Sequence, residues 1–179
     1  MLVLMGKSGS GKTSIESNMI EKYGFIRAIS HTTRQKREND VDGVNYFFVS
    51  KEEMERLQKE NQLAERIDYL GNTYALCKEQ CKTDRIVVVA PEGLKQLVAK
   101  DDLDIFSVFL DVNREVRLER MLNRGDSQED AEFRINNDDA IFDGSESMVS
   151  VVLDNSYKSV DEVTEEVYKL YQDYSKGKK

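Results

Sequence analysis

The stretch Gly6-Lys7-Ser8-Gly9-Ser10-Gly11-Lys12-Thr13 constrains the fold of this chain more than any other part of it. It satisfies G-x-x-x-x-G-K-[ST] at every position, directly after the apolar run Leu2–Met5. The pattern implies a buried strand, a loop curled around an anion, and a helix whose N-terminus points at the same spot. Glycines let consecutive N–H groups turn inward. The helix end adds roughly half a positive charge. Lys12 is placed to bridge β- and γ-phosphates, and the Thr13 hydroxyl to ligate Mg²⁺. Gly6, Ser8, Gly9, Ser10, Gly11, Lys12, Thr13 and Ser14 are the expected ATP-binding residues. Alone, the motif does not separate a kinase from a GTPase or a motor. The sequence has no N-K-x-D guanine motif, which favours a small-molecule kinase over a GTPase.

Charge and composition narrow the partners. The formal net charge of −8 argues against gripping a nucleic-acid backbone over a whole face, while leaving room for a small basic pocket. Hydrophobic residues at 39% are enough for a core, so wholesale disorder is excluded. No apolar run approaches the roughly 20 residues that span a bilayer. The start lacks a basic leader and an A-x-A-like cleavage site, so a cytoplasmic protein without membrane partners is expected. Cys77 and Cys81, with His31 the single histidine, make a poor zinc site and read as reduced thiols. One histidine also speaks against a Ser-His-Asp machine.

Strand-like runs fall at Leu2–Met5, Phe25–Ser30, Tyr46–Val49, Arg85–Ala90, Phe106–Asp111 and Val149–Leu153. Helical segments lie between them. One starts at Ser50 with Glu53 three residues on, another runs from Asn113 to Arg124 and stops at Gly125, a third starts near Ser127 and carries Phe133 and Ile135. The last starts at Ser159 with Glu162 at the third helical position and puts Val163, Val167, Leu170 and Tyr171 on one stripe. The alternation predicts an α/β fold with a parallel sheet flanked by helices. Residues 34–76 break the rhythm and read as an inserted small antiparallel subdomain (strand pieces 46–49, 63–69 and 73–76). The core is expected at 1–33 and 77–179, and a short lid at about 124–138.

A second cationic cluster closes the strand before the insert: Ser30-His31-Thr32-Thr33-Arg34-Gln35-Lys36-Arg37, with Tyr46 further on. Guanidinium forks and a phenol suit a phosphate monoester. This string, followed by Val41-Asp42-Gly43-Val44-Asn45-Tyr46-Phe47-Phe48-Val49-Ser50, resembles the GMP-binding segment of guanylate kinases. The resemblance continues through Gly71-Asn72-Thr73-Tyr74 and returns at Arg120–Gly125 and Asn155, covering nearly the whole chain in order. It implies phosphoryl transfer from ATP to the 5′-phosphate of GMP, giving ADP and GDP, with Mg²⁺ as cofactor. Ser30, Arg34, Arg37, Tyr46 and Tyr74 would hold the GMP phosphate, and Glu65 would accept from guanine N1–H and the N2 amine. Arg120, Arg124 and Arg134 match lid-side arginines that approach the transferring group, and Asn155 an asparagine near the ATP base. From the residues alone, Arg117, Arg120 and Arg124 share a helix face, and each could equally be a surface ion pair. Either a monomer or a homodimer is compatible with this reading.

The chain departs from the family at several positions. Ala75 and Leu76 stand where a glycine and a small hydroxyl residue follow Gly-Asn-x-Tyr, so the donor to guanine O6 is missing, a loss of about 1–3 kcal/mol if that oxygen is buried unpaired. Val88-Val89-Ala90-Pro91-Glu92-Gly93 replaces D-x-D-x-x-G, removing two aspartates from the base pocket and the magnesium shell. Glu92 is the nearest carboxylate that could take part of the metal role. Lys7 replaces a common proline, and the segment between Arg124 and Arg134 is one residue short of the usual length. Two rival readings follow: a nucleoside monophosphate kinase with altered base preference, and a catalytically weak binding module of the same shape.

Overall fold

The computed structural model describes residues 1–38, 40–69 and 71–177, with the side chain of Tyr69 left aside. The main sheet forms from apolar runs. β1 (Leu2–Met5) is buried at every residue: Leu2 and Leu4 face one layer, Val3 and Met5 the other. A strand buried on both faces has no polar alternation, which is why its sequence reads as a continuous apolar run. Its neighbours are β7 (Arg85–Val88) and β8 (Phe106–Asp111); β2 (Ile26–Arg27) and β9 (Val151–Asp154) form the edges. Among the described residues the order is β2-β7-β1-β8-β9, with every pairing parallel.

Helices cover both faces. α1 (Lys12–Tyr23) lays Ile15 and Met19 on Leu2 and Leu4, and ends at Gly24 in the left-handed conformation. α6 (Val160–Lys176) adds Val163, Val167 and Tyr171 to the same layer. Its start carries a complete capping box between Ser159 and Glu162, as the sequence predicts. On the other face α3 (Pro91–Val98) buries Leu94 and Leu97 against Val3 and Met5. This helix has no counterpart in the sequence reading: Pro91 and Gly93 in its first turn look like a breaker, although proline at the first helical position is favourable.

A second sheet is built on α3. β3 (His31–Thr32), β4 (Phe47–Phe48), β5 (Leu63–Tyr69) and β6 (Asn72–Cys77) pair in the order β4-β3-β6-β5. The β5/β6 and β6/β3 pairs are antiparallel, but β4 runs parallel to β3, so this sheet is mixed rather than wholly antiparallel. The loop from Thr33 to Tyr46 returns the chain to the start of β3, and that return sets the parallel pairing. Phe25–Ser30 is not one strand either: pairing to β7 stops at Arg27, and the chain leaves the first sheet to enter the second. α2 (Lys51–Lys59) packs Met54 and Leu57 on Leu63, Ala75 and Cys77. Ser50 caps it through the Glu53 amide, while the Glu53 carboxylate turns to Arg56 instead of closing a capping box.

α4 (Arg114–Asn123) and α5 (Gln128–Ile141) form a pair joined through Met121, Ala131 and Ile135. Phe133 lies on the outer side of α5, 65% exposed, because residues two apart cannot share a helix face. Cys77 and Cys81 are free thiols pushed up to about 11 by burial, in line with inert structural cysteines. Among the described residues no helix is long and apolar enough to cross a membrane.

Candidate active site

The loop from Gly6 to Lys12 leaves the C-terminal end of β1 and feeds α1. Gly9 (φ +79°) and Gly11 (φ +89°) take left-handed turns that an L side chain resists. At Gly9 there is also no room: a Cβ would lie 2.7 Å from the Arg117 carbonyl oxygen. Gly11 precedes α1 without any side-chain cap, and no acidic residue lies in the helix's first turn. The helix end is therefore electropositive toward the loop. Lys12 folds back over this loop, its Nζ donating to the carbonyls of Gly6 (2.6 Å) and Lys7 (2.9 Å). Burial pulls its ammonium down to about 8, with Arg134, Arg124 and Arg117 pushing the same way and Asp138 opposing.

A cavity of about 560 Å³ opens beside the loop. Lys12, Thr13, Arg120, Arg124 and Arg134 line it together. Arg120 donates to the carbonyls of Asn155 (2.8 Å) and Ser156 (3.4 Å). Arg124 and Arg134 share the Asp126 carboxylate at 2.5 and 3.5 Å. Arg117 is set apart. It is 3% exposed, donates to the Val112 carbonyl and pairs with Asp139 at 3.0 Å, and so belongs to the scaffold under Gly9. Asn155, 4% exposed, also lines the cavity, but its side-chain amide donates to the Ser10 carbonyl (2.8 Å) and so braces the loop.

The second cluster forms where β3, β4 and β6 meet. The Arg34 guanidinium lies 5.6 Å from the Tyr46 ring centre and 5.5 Å from that of Phe48, and donates to Asp40 at 2.8 Å. Tyr46 and Tyr74 meet edge to face, 5.7 Å apart. Arg37 donates its backbone N–H to the same Asp40 carboxylate and leaves its side chain exposed. Ser30 is half-buried, and its carbonyl accepts from Phe47.

Glu65 lies on β5 beside a register shift and is 7% exposed. Its Oε2 has no hydrogen-bond partner among the described residues. Burial pushes the carboxyl up to about 7, against a hydrogen bond from the Leu76 backbone. A Cβ on Gly93 would come within 3.3 Å of that oxygen, so the first turn of α3 borders the carboxylate. Gln96 fixes this arrangement: its side-chain amide accepts from Arg66 N–H and donates to Arg66 C=O, both at 2.9 Å. α3 follows β7, next to β1, so Glu65 and the glycine loop both sit by the C-terminal edge of the parallel sheet. In open α/β sheets ligands bind at that edge.

Other expected positions lie elsewhere. Glu92 is exposed, pairs with Lys95 at 3.7 Å and does not line the cavity. Leu76 is fully buried in the core with Leu94 and Met1, and offers no polar group. Lys7 pairs with Asp139 at 3.0 Å. Asp40, Asp126 and Asp138 escaped the sequence reading because in an acidic chain single aspartates carry no signal.

A sequence model described as guanylate kinase matches residues 1–174. The chain belongs to the guanylate kinase family. A guanylate kinase of Agrobacterium fabrum is 29% identical over 178 residues, spanning 94% of this chain and 81% of that protein. Among solved structures, a guanylate kinase from Anaplasma phagocytophilum superposes with a TM-score of 0.62 at 20% identity, covering 97% of this chain and 85% of its own. An uncharacterized protein from Eubacterium ventriosum reaches 0.56 at 14% identity, covering 96% and 98%. At these identities the two structures establish the fold, a guanylate kinase-type parallel sheet with flanking helices. Within this family, a nucleoside monophosphate kinase family, ATP is the phosphoryl donor.

Proposed function

We propose that the chain transfers the γ-phosphoryl group of ATP to the 5′-phosphate of GMP. The observation that carries the reading is Glu65: a buried carboxylate with one oxygen free of partners among the described residues. Two parallel acceptor oxygens match guanine N1–H and the N2 amine, whereas adenine offers an acceptor at N1. Arg34, Arg37, Tyr46 and Tyr74, with Ser30 beside them, take the acceptor phosphate. The acceptor is already an oxyanion, so no strong general base is needed. Catalysis then rests on alignment and on cations around a charge-rich transition state. Lys12 serves the donor phosphates from the loop. Arg120, Arg124 and Arg134 supply charge in the same cavity, where Arg124 and Arg134 exchange Asp126 for phosphate oxygens.

Residues 34–76 form the acceptor-binding part and 124–138 the lid, and their approach excludes water. Magnesium fits this site with few protein ligands. Among the described residues no group of three acidic, histidine or cysteine side chains is placed to hold a metal, and Thr13 offers a hydroxyl at the cavity. Mg²⁺ commonly keeps several waters and uses substrate phosphates as ligands. When bound it neutralises charge on the phosphate oxygens. Glu92, turned to Lys95, has no part in this proposal.

A coupled assay of ADP release with GMP, dGMP, AMP, UMP and CMP side by side tests the reading. Turnover confined to the guanine nucleotides is expected. Because Leu76 offers no polar group in the core, comparable turnover of another monophosphate would favour altered base preference. No turnover of any of them would favour a binding module.

A further inference from the structure

The donor cradle already holds an anion. Asp138, on α5 and far along the chain from the loop, accepts a hydrogen bond from the Ser8 backbone N–H through its Oδ2. Ser8 lies inside the glycine loop, where backbone amides gather to face a phosphate oxygen. Among the described residues no lysine or arginine forms an ion pair with Asp138. One of its carboxylate oxygens accepts from a loop amide, the interaction such a loop offers to phosphate.

We propose that Asp138 is an internal counter-anion of the donor site, occupying the place of a donor phosphate oxygen and thereby setting the affinity for polyphosphate. The proposal rests on reading the glycine loop as the donor site. Its neighbour explains how the carboxylate is held there. Asp139 pairs with Lys7 (3.0 Å), Arg114 (2.8 Å) and Arg117 (3.0 Å), which pins this part of α5 against the loop. Asp139 is thus the anchor, and Asp138 the group presented to the cradle. A bound polyphosphate needs the Ser8 amide and brings several negative charges beside Asp138. The two anions cannot share that donor, so Asp138 must leave it as the ligand arrives. The same carboxylate opposes the burial that lowers the Lys12 ammonium.

The test measures binding of inorganic tripolyphosphate, in EDTA, to the full chain by calorimetry. The wild type, Asp138→Asn and Asp138→Ala are compared, and Tm values check that each variant is folded. Asparagine keeps the shape and removes the charge. Both variants are expected to bind about tenfold more tightly, the scale of one charge-assisted hydrogen bond no longer displaced. The Ser8 amide proton resonance gives a readout independent of any ligand, and is expected to move upfield in both variants. Unchanged or weaker binding in both, or an unmoved Ser8 resonance, overturns the proposal. If none of the three binds tripolyphosphate, the donor-site reading itself fails, and this inference with it.

Discussion

Replacing Glu65 by glutamine should stabilise the nucleotide-free protein while crippling it as a kinase. The carboxyl is 7% exposed and its Oε2 lacks a partner among the described residues, so ionising it in the folded state is costly. Folding moves its pKa from 4.5 to about 7. At about 1.36 kcal/mol per pH unit, that displacement of roughly 2.5 units corresponds to about 3 kcal/mol. Between pH 4.5 and 7 the folded state holds a proton that the unfolded chain has released. Wild-type stability therefore falls as pH rises through this window and levels off above 7. Glutamine does not titrate. The Glu65→Gln protein should match the wild type near pH 4.5 and exceed it by about 3 kcal/mol at pH 8. For a domain of this size that is roughly 6–12 °C in Tm. Urea unfolding of both proteins across pH 4.5–8.5 without nucleotide measures the difference. On the proposed reading guanine binding needs the ionised carboxylate, so the wild-type KM for GMP should rise about tenfold per pH unit below 7, and glutamine should raise it at every pH. A stability difference that is absent at pH 8, or that is independent of pH, refutes the assignment of Glu65 as a strained, ligand-awaiting carboxylate.

Other expected outcomes probe the donor loop. Lys12, pulled down to about 8, loses its charge in the free enzyme as pH rises above that value, so kcat/KM for ATP should decline on the alkaline side; Lys12→Met should be nearly inactive and lack this limb. Gly9→Ala places a methyl 2.7 Å from the Arg117 carbonyl at φ +79°, and should cost more than about 2 kcal/mol in unfolding free energy and abolish measurable ATP binding. Asn155→Ala strands the buried Ser10 carbonyl; a loss of about 1–3 kcal/mol in urea unfolding and a raised KM for ATP are expected, with little change in the KM for GMP.

The sequence made the parallel core legible because both of its signals are local. Leu2–Met5 and Phe106–Asp111 are apolar runs as long as the strands they form. Ser127 and Ser159 mark helix starts by capping chemistry that acts within one turn. The glycine loop was equally plain, since its spacing is dictated by backbone geometry around a phosphate. What failed depended on partners distant in sequence. Phe25–Ser30 has strand composition throughout, yet it splits because β2 and β3 belong to different sheets. The parallel pairing of β4 with β3 follows from the path of an intervening loop rather than from either strand's residues. Arg117 shows no sequence difference from Arg120, and only burial against Asp139 and the Gly9 turn separates a scaffold cation from one that faces the cavity.

The aspartates no pattern flagged share one physical origin. Cations gathered for a phosphate repel one another when no phosphate is present. Burial does most to lower the Lys12 ammonium, and Arg134, Arg124 and Arg117 around it push the same way. Several of these cations have a carboxylate beside them: Asp126 between Arg124 and Arg134, Asp40 on Arg34, Asp139 on Lys7, Arg114 and Arg117, with Asp138 at the loop. An arginine cluster can thus stay folded and hydrogen-bonded while empty, inside a chain of net charge −8. On the proposed reading, a nucleotide phosphate taken up by Arg34, Arg124 or Arg134 displaces Asp40 or Asp126, so binding there is an exchange of one anion for another. Affinity then depends on how much better a phosphate dianion satisfies the fork than a carboxylate monoanion does. That difference favours ligands of higher charge over a carboxylate monoanion.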